Sequence, residues 1–158
     1  MSHTFSAIFE ISQPGPLSFS SMREMAQPLQ PGSYVKKKLL LVDDEETTLV
    51  AYRKLLSSSS IELDTAASME EATSYLERQI YNIVISDLRL TGTLNLEGFD
   101  IARLARAKNP DTEIILITAY GTPEIKRQAV DLGVAQYLEK PILSSDLRNA
   151  IMSLGVEL

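Results

Sequence analysis

Cysteine is absent from the 158 residues, so a disulfide framework is excluded and nothing points to an oxidising compartment. Long apolar runs are also missing. None exceeds about five residues, far short of the ~20 that a membrane-spanning helix needs. The apolar stretch Phe5 to Phe9 has no preceding Lys or Arg and is too short for a secretory signal, so the chain reads as soluble and cytoplasmic. An excess of positive charge is lacking too. A net charge of -6 and a pI near 4.8 argue against a broad contact surface for nucleic-acid phosphates. The one basic run, Lys36-Lys37-Lys38, reads as a solvated edge or linker end just before a strand. What is present is 44% hydrophobic residues, enough for one domain core but not two.

The chain divides near residue 37. Residues 1–37 hold four of the seven prolines (Pro14, Pro16, Pro28, Pro31), many serines and no sustained period, the composition of a linker or tail. Phe5, Ile8, Phe9, Ile11, Leu17 and Phe19 make it more apolar than most such tails. The expectation is an N-terminal extension, flexible or partly docked, followed by a domain over residues 38–158.

From residue 38, short leucine-rich or β-branched runs alternate with longer amphipathic stretches. Strands are expected at Leu39 to Val42, Ile61 to Thr65, Ile83 to Ser86, Ile114 to Ile117 and Val134 to Leu138. Between them, Leu49, Tyr52, Leu55 and Leu56 recur at helical spacing over 46–56. Ser68 and Glu71 form an S-x-x-E capping box that opens a helix running to about Gln79. A third helix carries Phe99, Ile101, Ala102, Leu104 and Ala105 and stops at Asn109-Pro110. Thr122-Pro123 caps a fourth, which Gly133 closes. Ser144 or Ser145 caps a last one bearing Leu147, Ile151 and Leu154. Strict alternation implies an α/β fold, a doubly wound parallel sheet covered by helices on both faces.

Four of these strands end on residues suited to a phosphoryl group: Asp43 and Asp44, Asp87, Thr118, and Lys140. In a parallel sheet their carboxyl ends share one edge, where open α/β sheets bind ligands. Three carboxylates in a small volume repel one another, and a hard divalent cation relieves that repulsion. Mg²⁺ fits, because it takes a few carboxylates and accepts phosphate oxygens. A carboxylate can also attack phosphorus to give an aspartyl phosphate. The Lys140 ammonium and the Thr118 hydroxyl would meet the developing charge on the phosphoryl oxygens, with no general base required. Each residue alone has an ordinary structural explanation; their joint order at four strand ends carries the reading.

The segments Leu41-Val42-Asp43-Asp44-Glu45, Ser86-Asp87-Leu88, Thr118-Ala119-Tyr120-Gly121 and Gly133 to Pro141 closely resemble the receiver domain of two-component response regulators, over roughly residues 38–156. The resemblance implies a flavodoxin-like sheet of order 2-1-3-4-5. It implies that Asp87 accepts a phosphoryl group from a sensor histidine kinase or phosphotransfer protein. Asp44, Asp87 and the Arg89 backbone carbonyl would ligate Mg²⁺ directly, Asp43 partly through water. Thr118 and Tyr137 would form a switch pair, Tyr137 rotating inward from an exposed position, and Lys140-Pro141 would be a cis bond. The output face would be the fourth helix, fifth strand and fifth helix, exposing Glu124, Lys126, Arg127, Asp131, Gln136 and Arg148 to a downstream protein or a second copy of the chain.

Three features depart from the family pattern. The loop between Asp87 and Gly98 is a few residues longer than usual, with Thr91 where proline is common. Arg89 and Tyr120, positions that modulate water access to the aspartyl phosphate, are both bulky, so slow self-dephosphorylation is expected. The chain continues past Pro141 only to Leu158, room for one helix, so a stand-alone receiver acting through protein contact, with neither nucleic acid nor membrane, is expected. Two other readings stand beside this one. Asp87-Leu88-Arg89-Leu90-Thr91 is similar to the D-x-D-x-T loop of haloacid-dehalogenase-like phosphatases, with Arg89 replacing the second aspartate. A phosphorylation-independent docking module on the same fold is the other.

Overall fold

The computed structural model describes residues 35–92 and 95–158, so the expected extension lies, up to residue 34, outside the described residues. Strands β1 (Lys37–Val42), β2 (Ile61–Ala66), β3 (Ile83–Asp87), β4 (Glu113–Thr118) and β5 (Gln136–Glu139) alternate with helices α1 (Glu46–Leu55), α2 (Met69–Arg78), α3 (Glu97–Lys108), α4 (Pro123–Asp131) and α5 (Ser144–Ser153). All strand pairs are parallel, in the order β2-β1-β3-β4-β5. The parallel sheet is what the alternation implied, and its strand order is the one implied by the family resemblance.

The sheet is apolar on both faces because it is covered on both. In β1, Leu40 and Val42 pack with Leu76 of α2, Phe99 and Ile101 of α3 and Ile125 of α4. Leu39 and Leu41 point the other way, onto Leu49 of α1 and Leu147 and Ile151 of α5. Period-two alternation thus assigns each strand residue to one of two cores. Each fully buried leucine or isoleucine contributes roughly 1.5–3 kcal/mol.

Local signals set most boundaries. Ser68 Oγ accepts from Glu71 N at 3.2 Å, and the Glu71 carboxylate accepts from Ala67 N at 2.8 Å, one residue before the cap. Thr122 Oγ1 accepts from Ile125 N at 3.3 Å with Pro123 in the first turn. At the far end of α4, Gly133 adopts φ +67°, donating to Val130 O, while Val134 N reaches Ala129 O. These two bonds satisfy the last carbonyls as a Schellman closure does.

Three expectations need correction. Lys37 and Lys38 do not precede β1 but begin it, because their side chains leave at the sheet rim: Lys38 Nζ lies 3.3 Å from Glu62 and donates to Gln79 Oε1 at 2.9 Å. Strand β5 starts at Gln136 instead of Val134, since the backbone of Val134 is engaged in closing α4. Neither Ser144 nor Ser145 caps α5; Leu143 is the cap residue without a side-chain bond, and Ser144 is already helical. Among the described residues, no helix is long and apolar enough to cross a membrane.

Candidate functional site

Strand order reverses between β1 and β3: the chain leaves β1 for β2 on one side and returns to β3 on the other. The helices after these strands diverge to opposite faces and leave a crevice at the carboxyl ends. Asp43 and Asp44 follow β1 there, and Asp87 ends β3. Backbone bonds hold the neighbouring segments in register: Asp43 N to Ala66 O at 3.2 Å, Leu88 N to Ile117 O at 2.7 Å, and Lys140 N to Thr118 O at 2.8 Å. The last bond brings Lys140 alongside the end of β4.

Lys140 Nζ donates to Asp43 Oδ2 at 3.2 Å and to Asp87 Oδ2. One ammonium therefore bridges two buried carboxylates, at 1% and 7% exposure. The other oxygens take backbone donors: Asp43 Oδ1 from Glu45 N at 2.9 Å, Asp87 Oδ1 from Arg89 N at 3.0 Å. Burial raises the Asp43 carboxyl above its ordinary range, and the Glu45 N–H and Lys140 only partly oppose it. At Lys140, burial acts to lower the ammonium, but the hydrogen bonds and charges of Asp87 and Asp43 outweigh it and hold the group above its usual value. Asp43, buried, Asp44, exposed, and Asp87, buried, each offer a carboxylate oxygen within 4.8 Å of the others, a group able to hold a metal ion. An all-oxygen, anionic donor set suits a hard cation such as Mg²⁺.

Around this cluster stand the residues expected to respond. Thr118 is fully buried, and its Oγ1 accepts from Tyr120 N at 3.1 Å and donates to Tyr120 O at 3.3 Å. Arg89 lies over the Tyr120 ring. Lys140-Pro141 is cis. Tyr137 is not in an exposed position: its ring packs against the α2/α3/α4 core, and its hydroxyl is buried with no hydrogen-bond partner among the described residues. Burial and then the Glu139 charge raise its pKa.

On the expected output face, Glu124, Lys126, Arg127 and Asp131 are exposed, and Gln136 is half-buried. Arg148 does not belong to that face. Its guanidinium donates to Leu55 O at the end of α1 and to Leu158 O, so it ties α5 to α1.

Sequence reasoning missed what four residues, Glu97, Gly98, Lys126 and Glu139, do around the site. Glu97 accepts from Leu90 N and Thr91 N, both at 3.0 Å, and from Thr91 Oγ1 at 2.5 Å, fastening the lengthened loop. These bonds, the Thr91 hydroxyl first, hold its carboxyl below the ordinary range. A Cβ at Gly98 would stand 2.6 Å from Asp87 O, so only glycine lets α3 approach so closely. Lys126 and Glu139 pair at 2.6 Å beside Tyr137. An acidic residue before Gly98 was the one visible hint; the other pairings arise only in the fold.

Comparison with known proteins agrees with this fold. The family model for the response regulator receiver domain matches residues 39–152, and the chain belongs to that family. It is 30% identical over 105 residues to the photosynthetic apparatus regulatory protein RegA of Cereibacter sphaeroides, covering 66% of this chain and 55% of that protein. A receiver domain from Clostridium thermocellum superposes with TM-score 0.65 at 30% identity, over 75% of this chain and 93% of that one. A CheY-like receiver from Methanospirillum hungatei gives TM-score 0.68 at 24% identity, over 76% and 94%. The chain spans between a fifth and a little over half the length of such curated relatives. Receiver domains serve phosphorylation-dependent signalling.

Proposed function

We propose that residues 38–158 act as a two-component phosphorylation switch, with residues 1–37 as an extension, in which Asp87 accepts the phosphoryl group of a phosphohistidine on a sensor histidine kinase or phosphotransfer protein. The observation that carries this is the Lys140 ammonium bridging Asp87 and Asp43, with Asp44 alongside. An Asp87 carboxylate oxygen attacks phosphorus as the bond to the donor nitrogen breaks, giving an acyl phosphate. A carboxylate nucleophile carries no proton to be removed, so the step needs no general base. Asp43, Asp44, Asp87 and the Arg89 carbonyl would hold Mg²⁺, which supplies charge neutralisation on the phosphoryl oxygens. Lys140 offsets the remaining charge.

Thr118 is the reporter in this reading. Its hydroxyl is bonded to the Tyr120 backbone, and turning it towards a phosphoryl oxygen would free the loop after β4. Tyr137 lies against that loop, its hydroxyl beside Gly121. A ligand can shift such a two-state element only by differing in its interaction with the two states. Here that difference is the Thr118 bond. The shift alters the face of α4, β5 and α5, read by a downstream protein or by a second copy of the chain.

Incubation of the full chain with acetyl phosphate and Mg²⁺, followed by intact mass, tests the acceptor. A gain of ~80 Da is expected for one phosphoryl group. No gain, or one that survives Asp87→Asn, defeats the proposal.

A further inference from the structure

We infer that Glu97 is a positioning residue for this site: by holding the Leu90 N–H it sets the direction of the Arg89 carbonyl, the backbone oxygen proposed above as a metal ligand. The inference rests on that proposed metal role. A glutamate in the first turn of a helix ordinarily serves the helix's own N-terminus. Glu97 instead turns its carboxylate back to the loop, where one oxygen takes both the Leu90 and Thr91 N–H groups and the other takes the Thr91 hydroxyl. Leu90 N and the Arg89 carbonyl belong to one planar trans peptide unit, in which N–H and C=O point in opposite directions. Fixing the first fixes the second.

The segment around this peptide is fastened elsewhere as well, which leaves its orientation to Glu97. Leu88 and Leu90 bury their side chains at 0% and 2% exposure. Leu88 N donates to Ile117 O and Leu88 O accepts from Gly98 N. Arg89 N is taken by Asp87 Oδ1. The remaining freedom lies in rotation of the Arg89–Leu90 peptide, and the Glu97 carboxylate opposes it with charge-assisted bonds.

The test is Mg²⁺ titration of the full chain, followed by amide shifts in ¹H–¹⁵N spectra, with melting curves in parallel. Glu97→Ala is expected to raise the Mg²⁺ midpoint roughly tenfold, the lower end of what loss of an outer partner costs a metal site. Glu97→Gln keeps an oxygen for both N–H groups and should restore most of the affinity. Thr91→Val keeps both N–H donors and should stay within about twofold, since it removes one hydroxyl bond. A lower melting temperature in Glu97→Ala with an unchanged midpoint would reduce Glu97 to a loop fastener and overturn the inference. So would a Glu97→Gln variant as weak as Glu97→Ala. Absence of saturable Mg²⁺ binding in the wild type would instead remove the metal reading itself, and this inference with it.

Discussion

The Arg89 guanidinium carbon lies 6.0 Å from the centroid of the Tyr120 ring, so the loops after β3 and β4 meet beside the acidic cluster. Arg89 also gives its N–H to Asp87, and Tyr120 engages Thr118 through its backbone. The pair therefore spans from Asp87, the proposed acceptor, to Thr118, the proposed reporter. The bulk of these two side chains, Arg89 and Tyr120, is the reason slow hydrolysis of an acyl phosphate at Asp87 is expected. Arg89→Ala and Tyr120→Ala should each shorten its lifetime about two- to fivefold, the factor equivalent to the ~0.5–1 kcal/mol of an exposed cation–π contact. Loss of the phosphoryl mass with time measures it. A wild-type half-life of seconds, or variants with unchanged lifetimes, would contradict the role.

The strand ends were legible because each is a contiguous apolar run followed by polar residues, and parallel order brings those ends together without any further information. Asp43, Asp44, Asp87, Thr118 and Lys140 needed only alternation and register. What stayed hidden depends on distance in space. Glu97 reaches back around an unusual loop, and Lys126 meets Glu139 only once α4 lies on β5. Polarity misled at β1, where Lys37 and Lys38 look like linker but leave the sheet at its rim. Arg148 was assigned to the wrong side of α5, since helical spacing alone could not reveal the Leu55 and Leu158 carbonyls that hold it.

Asp43 is expected to trade stability for function. Its carboxyl is raised above the ordinary value, chiefly by burial. The native chain therefore binds this proton more readily than the unfolded one, so the group adds stability as pH falls through its raised value towards 3.8, and costs stability above it. Asp43→Asn deletes the charge while keeping an oxygen for Glu45 N–H. At neutral pH without metal it should melt higher than wild type. With Mg²⁺ at a hundred times its Kd the wild type should gain about 2.7 kcal/mol, and the variant little. Melting curves with and without Mg²⁺ decide it; a variant that melts lower without metal would mean that the Lys140 pairing outweighs burial.

Gly121 offers a way to test the switch without touching the phosphoryl site. A Cβ there would stand 2.7 Å from the Tyr137 hydroxyl and 2.9 Å from Glu139 Oε1, closer than real contacts allow. Both obstructing atoms end side chains and neither is backbone, so Gly121→Ala should fold, at a cost within the ~1–3 kcal/mol of overpacking. Among the described residues the hydroxyl has no hydrogen bond to hold it, whereas Glu139 is tied to Lys126, so Tyr137 is the group that gives way. Fluorotyrosine labelling with ¹⁹F spectra should show the Tyr137 resonance moved in the unphosphorylated variant and little changed on adding acetyl phosphate and Mg²⁺. The wild-type resonance should move on that addition. If instead the variant shows the wild-type shift in both states, Tyr137 does not sense the space beside Gly121, and its coupling to Thr118 must run by another route.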